Sequence, residues 1–239
     1  MAKIPLVDAF VYVEGFDFTG LSNQGQLTPE VEQLDATTFG GSGWKEVSGG
    51  LKTTQFEGAG YFEQLDKAVD KELYDSLGSS GKLAMFGASE VATQPGYMWR
   101  GAQSAYNVGG AVGELAAWNM TLAGADKYGV IRGQLAKARG SHAGTGVVGS
   151  VLSLGTVPAG KRVYFGVQVF TAGTTITLQL QSDDASGFAS ATTRGTLGPI
   201  TAKGGYFLAV DGPFTDTHWR VNASAITGSF DIAAFVGIQ

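Results

Sequence analysis

The chain has 239 residues, of which 44% are hydrophobic and only 15% charged, and its net charge is −5. This many apolar side chains can build a core, which excludes a globally disordered protein. The absence of cysteine excludes disulfides, thiolate metal sites and cysteine nucleophiles, and two histidines are too few for a histidine-rich metal centre.

No segment has the pattern of a targeting or membrane-spanning sequence. The N-terminus lacks an apolar run of signal-peptide length, and no stretch approaches the roughly 18 apolar residues of a spanning helix. We therefore expect a protein that is made and used in solution, without membrane anchoring.

The first quarter of the chain alternates between extended runs and glycine-rich turns, a pattern typical of β-strands. Strands are predicted at 8–12, 16–18 and 26–34, and strand-forming residues resume at Leu51. A glycine cluster after Phe39 interrupts the pattern, because glycine favours irregular backbone over regular pairing.

One helix is predicted, from Gln64 to Leu77. Leu65, Val69, Leu73 and Leu77 recur every four residues and would form one apolar stripe. Gly78 is a suitable residue to follow a helix C-terminus. Further strands are predicted after it, at 82–86, 97–103, 114–122 and 128–135.

The last hundred residues are predicted to be wholly β. Residues 138–146 are small and glycine-rich, which is typical of a linker. Period-2 alternation then predicts strands at 147–154, 163–170, 175–181, 206–210, 218–223 and 230–238. Several short strands separated by turns indicate an antiparallel, jelly-roll-like β-sandwich.

Three patterns that resemble chemical sites are weak. Residues Gly144 to Gly149 match G-x-G-x-x-G, but no strand precedes them and no helix is predicted to follow, as a dinucleotide site requires. Asp216, His218 and Arg220 would share one strand face, which we interpret as a solvated face with local pairing. The pair Asp183–Asp184 falls far short of the six to eight oxygen ligands of calcium. We predict no enzyme activity, no catalytic residues, no cofactor and no metal site.

The four tryptophans could line a glycan-binding platform. Trp118 and Trp219 lie within strand patterns, however, which favours a place in a core or an interface. Trp44 lies in the glycine-rich segment, where it would either anchor a subunit contact or fold back onto its own domain.

The stretch Asp35-Ala-Thr-Thr-Phe-Gly40, followed by Gly50-Leu51 and a strand from Phe56 to Phe62, resembles the signature region of bacteriophage major tail proteins, also called tail tube proteins. The resemblance covers roughly residues 4–136. It implies a β-sandwich or barrel flanked by one helix, in subunits that form stacked hexameric rings around a DNA-conducting channel. We therefore expect residues 1–137 to form a tail tube domain, 138–146 a linker, and 147–239 a C-terminal β-sandwich on the tube exterior.

The function that the resemblance implies is that of a structural virion protein, assembled in the host cytoplasm. Its partners would be copies of itself, other tail proteins at the tube ends, and DNA that passes through without specific binding. Two other classes stay open. One is a different virion β protein, such as a capsid decoration or fibre component, and the other is a glycan-binding module or glycan-active enzyme.

Two sets of site residues follow from the tube interpretation. A loop that reaches the next ring is expected around the glycine cluster, and its candidates are Gly40, Gly41, Gly43, Trp44, Lys45, Gly49 and Gly50. Residues 1–137 carry 10 basic and 16 acidic side chains, against 6 and 5 in the rest, and an acidic wall would let DNA slide without sticking. The candidate lumen-lining residues are Glu30, Glu32, Asp35, Glu57 and Glu63. Which of them face inward depends on strand register, since a shift of one residue reverses every face.

Overall fold

The computed structural model describes residues 6–39, 44–62 and 67–239, with the backbone alone at 67 and 68. The described chain is mainly antiparallel β with one α-helix, which confirms the predicted fold class. The strands are β1 (Phe10–Val13), β2 (Phe16–Asp17), β3 (Ser22–Asp35), β4 (Val47–Tyr61), β5 (Lys82–Gly87), β6 (Pro95–Gly109), β7 (Ala117–Gly124), β8 (Ile131–His142), β9 (Gly146–Ser153), β10 (Arg162–Thr171), β11 (Thr175–Asp183), β12 (Thr192–Ile200), β13 (Gly204–Asp211), β14 (His218–Thr227) and β15 (Phe230–Ile238).

One strand, β12, has no counterpart in the sequence prediction. It contains two glycines and Pro199, which lower its strand signal. It lies at the edge of its sheet, where proline is tolerated because the missing N–H does not interrupt a ladder on both sides.

The helix α1 (Lys67–Asp75) ends two residues before the predicted end at Leu77, and the predicted start at residues 64–66 lies outside the described residues. Val69 and Leu73 are buried as expected, whereas Leu77 lies beyond the helix end and is 48% exposed. Leu65 lies outside the described residues. Gly78 follows with a φ of +78°, and its N–H donates to the carbonyl of Gln103 at 3.0 Å.

Two compact units make up the chain, and their boundaries differ from the expected ones. Unit 1 comprises Met1–Leu21, Lys82–Trp99 and Ile131–Gln239, and unit 2 comprises Ser22–Gly81 and Arg100–Val130. Strand β6 contributes residues to both units. Because the first unit is assembled from three separate stretches of chain, composition along the sequence could not reveal this division.

The expected linker at 138–146 is instead the end of β8 and a short turn into β9. Ser141 and His142 pair with β15, so the strand is continuous through this segment. Close packing involves the neighbouring Gly149 of β9, where an added Cβ would collide with the carbonyl oxygen of Ala136 and φ is +78°. Within the segment, Gly144 and Gly146 have open space around them, so strand pairing at Ser141, His142 and Gly146, and not close packing, accounts for its structure.

Unit 1 contains two sheets with a shared core. Their strand orders are β13-β10-β15-β8-β6-β5-β1-β2 and β12-β11-β14-β9. Alternate residues of β10, including Phe165 and Val167, pack with Leu178 and Trp219 in one buried cluster. This arrangement matches the sandwich that period-2 patterning predicted, because alternation places every second side chain on the inner face.

Unit 2 is a long-stranded sheet in the order β3-β4-β7, completed by the second half of β6. One face carries buried Phe56, Trp118 and Met120. The helix α1 is attached to β6 on this face. The Tyr106 hydroxyl donates to Asp70 at 2.6 Å, and the Gln103 amide donates to the carbonyl of Leu73 at 2.7 Å. We call this side of the sheet the helix face.

Among the residues that the structure describes, no helix has the length and apolar character needed to span a membrane.

Candidate assembly surfaces

The turn between β3 and β4 forms an exposed hairpin tip. Asp35 accepts a hydrogen bond from the Thr37 N–H at 2.9 Å and lies 3.8 Å from the Lys45 ammonium. The Thr37 hydrogen bonds lower the pKa of Asp35, so its carboxylate stays charged. Phe39 and Trp44, the aromatic residues of this tip, are fully and 79% exposed.

The predicted inter-ring loop is therefore shorter than expected. Gly49 and Gly50 lie within β4, where Gly49 pairs with Gln33 of β3 and Gly50 lies at a register irregularity between Gly49 and Lys52. Trp44 and Lys45 do lie in the turn, whereas Gly40, Gly41 and Gly43 lie outside the described residues. Trp44 does not fold back onto its own unit, because most of its side chain is exposed.

The other face of the unit 2 sheet is polar, and we call it the polar face. On β3 and β4, Gln26 pairs with Glu57, Thr28 with Gln55, and Glu30 with Thr53. Cross-strand partners share a face, so these side chains lie together. Two shallow depressions of about 510 and 250 Å³ lie along it, and the second is lined by Gln24, Asn107, Asn119 and Thr121 among others.

The register places the predicted lumen-lining acids on different sides. Glu30 and Glu57 lie on the polar face, and Glu32 shares that face with Glu30 by strand alternation. Asp35 has the opposite parity on β3 and belongs to the hairpin tip. Glu63 lies outside the described residues. By register the charged side chains of β3 and β4 on the polar face are thus acidic, while Lys52 has the parity of the helix face and also lines the larger depression beside Glu30 and Glu57.

Both outer edges of the unit 2 sheet carry backbone without a strand partner in the described chain. Strand β3 pairs only with β4, and residues 104–109 of β6 pair only with β7. Pro29 lies in the middle of β3, where its missing N–H blunts the edge. Residues 22–28 and 104–109 remain as two free edge segments of similar length.

Most of the large hydrophobic side chains that are exposed in the described chain belong to unit 2. Besides Phe39 and Trp44, they include Leu51 at 76%, Val112 at 107% and Leu115 at 70% exposure. Such a concentration of exposed apolar side chains in one unit makes unit 2 the candidate region for protein association. The sequence prediction missed Val112 and Leu115, although a large hydrophobic residue at Val112 between the glycines of 109–113, with Leu115 two residues beyond them, was a visible signal.

Asp216 and Arg220, two residues of the weak strand-face pattern, form hydrogen bonds with residues outside that pattern. Asp216 accepts hydrogen bonds from Ser182 at 2.6 Å and Arg194 at 2.7 Å, and these bonds lower its pKa. Arg220 donates instead to Gln181 at 2.9 Å. Asp216, His218 and Arg220 therefore form no joint site.

Asp183 and the G-x-G-x-x-G segment are structural as well. The Asp183 carboxylate accepts the N–H groups of Ala185 and Ser190, which closes the turn after β11. No group of acidic and histidine side chains suited to a metal ion occurs among the described residues. The glycine motif at 144–149 runs into strand β9, which begins at Gly146, and no helix follows it. Trp99, Trp118 and Trp219 are fully buried, so these three cannot form a glycan platform.

No protein-family model matches the chain, and no curated protein matches its sequence. Among solved structures, it is similar to a chain from the tail of the empty gene transfer agent particle with C6 symmetry. That match has 14% identity, covers 53% of this chain and 96% of the other, and has a TM-score of 0.37. The Dit protein (gp 19.1) of phage SPP1 matches with 9% identity over 97% of this chain and 99% of the other, at a TM-score of 0.39.

A chain of the activated phage p2 baseplate matches with 7% identity over 95% of this chain and 97% of the other, at a TM-score of 0.33. Identity and TM-score are low in all three matches, so each neighbour's role remains a statement about that neighbour.

Proposed function

We propose that this chain is a structural protein of a phage tail. Copies of it would assemble through unit 2 into rings, which stack into a tube that conducts DNA. The observation that carries the proposal is the unit 2 sheet itself. It combines a polar face whose β3 and β4 charges are acidic, two free edges, and a concentration of exposed apolar side chains.

Ring closure would use the two free edges. Unpaired backbone N–H and C=O groups at a sheet edge favour pairing with another strand, and a closed ring removes every edge. Residues 22–28 of one copy, which end before Pro29, and residues 104–109 of the next copy offer edge segments of similar length. The resemblance of the signature region to tail tube proteins implies six copies per ring.

The polar face would line the channel. DNA carries one negative charge about every 1.7 Å of axis, so a basic wall would hold it by counterion release. Glu30, Glu32 and Glu57 would instead repel it weakly, and salt screens that repulsion beyond about 8–10 Å. Residues 147–239 belong to a sandwich that buries its own core, and we place that sandwich on the tube exterior.

Hydrogen exchange combined with negative-stain electron microscopy tests this proposal on the full chain. We expect rings or tubes, with amide protection of residues 22–28 and 104–109 gained on assembly. The edge strands β9 and β12 of unit 1 serve as the matched control and should gain none. A monodisperse monomer would overturn the proposal, and so would assemblies in which only the unit 1 edges become protected. Binding of such a monomer to a glycan array would favour the glycan-binding class.

A further inference from the structure

The four-stranded sheet of unit 1 carries a layer of uncharged polar side chains on its outer side. Alternate residues of β11 and β14, including Leu178 and Val221, belong to the buried core of unit 1, so the residues between them lie on the opposite side. We call that side the amide face. One row of cross-strand partners crosses all four strands, and its members are Thr196, Gln179, Asn222 and Val147. The next row contains Thr193, Gln181 and Arg220.

Hydrogen bonds between side chains fix the orientation of this layer. The Gln181 amide donates to the Gln179 Oε1 at 3.2 Å. The Arg220 Nε donates to the Gln181 Oε1 at 2.9 Å, and its guanidinium lies 4.2 Å from the centroid of the Phe188 ring. Within the described chain, the Gln179 Nε2 and the Asn222 amide have no protein partner. Two glutamines and a guanidinium are therefore held in place, beside donors that are available to a ligand.

The amide face does not have the composition of a protein or nucleic-acid interface. Val147 is the single large hydrophobic side chain of residues 131–239 that is exposed, whereas the centre of a protein interface is apolar and aromatic. Arg220 is the one charged side chain in the two rows, and nucleic-acid binding depends on several basic groups. The chemistry of this face therefore favours an uncharged ligand that forms hydrogen bonds.

We propose that the amide face binds a neutral polysaccharide. Sugar hydroxyl groups both donate and accept hydrogen bonds, and side-chain amides offer both functions in one plane. Neighbouring strands lie about 4.8 Å apart, which is close to the length of one sugar unit in a chain. A polysaccharide that lies across the strands would therefore present successive units to Gln179 and Asn222. This binding goes beyond the proposed tail role and does not depend on ring assembly.

Binding to a single sugar unit should be weak, because the face offers no aromatic platform. Phe188 is 7% exposed and lies under Arg220, so its ring is not available to stack on a sugar. Each hydrogen bond also replaces one with water and contributes little by itself. A polymer offers many equivalent units, and several copies of the protein can hold one polymer at once. The test therefore uses polymers and not single sugars.

Retention on polysaccharide beads tests the proposal with the full chain. The probes are cross-linked dextran, agarose and amylose, three neutral polymers with different linkages, and polyacrylamide beads serve as the blank. We expect retention on at least one of the three, and elution by the same polymer in solution. Retention should not change between about 50 and 500 mM salt, because a neutral ligand forms no ion pairs that salt could screen. Failure to bind all three polymers would overturn the proposal, and so would retention that salt abolishes.

Two variants test the location of the site. Asn222→Ala should lower retention at least about threefold, since a lost hydrogen bond changes binding by roughly that factor. Gln179→Glu keeps the size of the side chain and the bond from Gln181, so folding should persist, but it loses the Nε2 donor and should weaken retention as well. Asn119→Ala, which removes an exposed amide from unit 2, is the matched control and should bind as the parent chain does. Equal retention by the control and both test variants would overturn the assignment to the amide face.

Arg220→Lys distinguishes hydrogen bonding from attraction by charge. Lysine keeps the positive charge but lacks the planar set of donors, so retention should fall. Full retention by this variant would contradict a role for the guanidinium.

Electron microscopy of the same samples separates this inference from the proposed function. Tubes that none of the three polymers retains overturn the polysaccharide inference alone. A monodisperse monomer that is retained supports the polysaccharide inference and overturns the assembly of rings.

Discussion

The replacement Leu73→Ala tests how α1 is held on unit 2. Leu73 is 2% exposed, and its own carbonyl accepts the Gln103 amide at 2.7 Å. Removing a buried leucine side chain costs about 2–5 kcal/mol, the lost transfer free energy plus the cavity left behind. Taking about 3 kcal/mol, and about 2–4 °C of melting temperature per kcal/mol for a chain of this size, we expect a decrease of roughly 6–12 °C.

The matched control is Leu77→Ala, four residues further along the predicted stripe. Leu77 is 48% exposed, so its truncation should change the free energy of unfolding by less than about 0.5 kcal/mol. Urea titrations followed by circular dichroism and by tryptophan fluorescence would measure both variants, because buried tryptophans lie in both units, Trp118 in unit 2 and Trp99 and Trp219 in unit 1. Equal destabilisation by the two replacements would refute the assignment of Leu73 to the core.

Three further predictions concern a glycine, a carboxylate and the polar face. Gly149→Ala should cost at least about 1–2 kcal/mol in urea unfolding, since φ is +78° and the new Cβ would meet the Ala136 carbonyl, whereas Gly144→Ala, with open space around it, should cost almost nothing. The pKa of Asp183 lies at about 2, below its ordinary 3.8, mainly because the Ala185 N–H donates to it. Its folded-state pKa is lowered, so Asp183 stabilises the fold above about pH 4, and that contribution is lost as pH falls toward 2. Asp183→Asn should therefore flatten the pH dependence of the melting temperature in this window. Glu57→Lys on the polar face should make assembled tubes retain DNA at low salt in a filter-binding assay, while Glu72→Lys on α1 should not. Equal retention by both would contradict the placement of the channel.

The sequence by itself determined the fold class and most of the strands. Alternation in 163–170 predicted β10, and the spacing of Val69 and Leu73 predicted the buried side of the helix, because a side chain's face follows from local periodicity alone. The lack of cysteine and the scarcity of histidine also limited the chemistry that the chain could perform. Propensity failed at β12, where glycine and proline weaken the strand pattern although pairing with β11 makes the segment a strand.

The tertiary structure decided the unit boundary, the faces of the acids and the rows of the amide face. Residues 138–142 look like a linker in composition, but pairing with β15 makes them a strand. Glu30 and Asp35 are both acidic and lie close together in the sequence. The pairing of β3 with β4 nevertheless places Glu30 on the polar face and Asp35 at the hairpin tip. Gln179 and Asn222 are neighbours on the amide face because β11 pairs with β14. These features rest on pairing between residues distant in sequence, which local patterns do not encode.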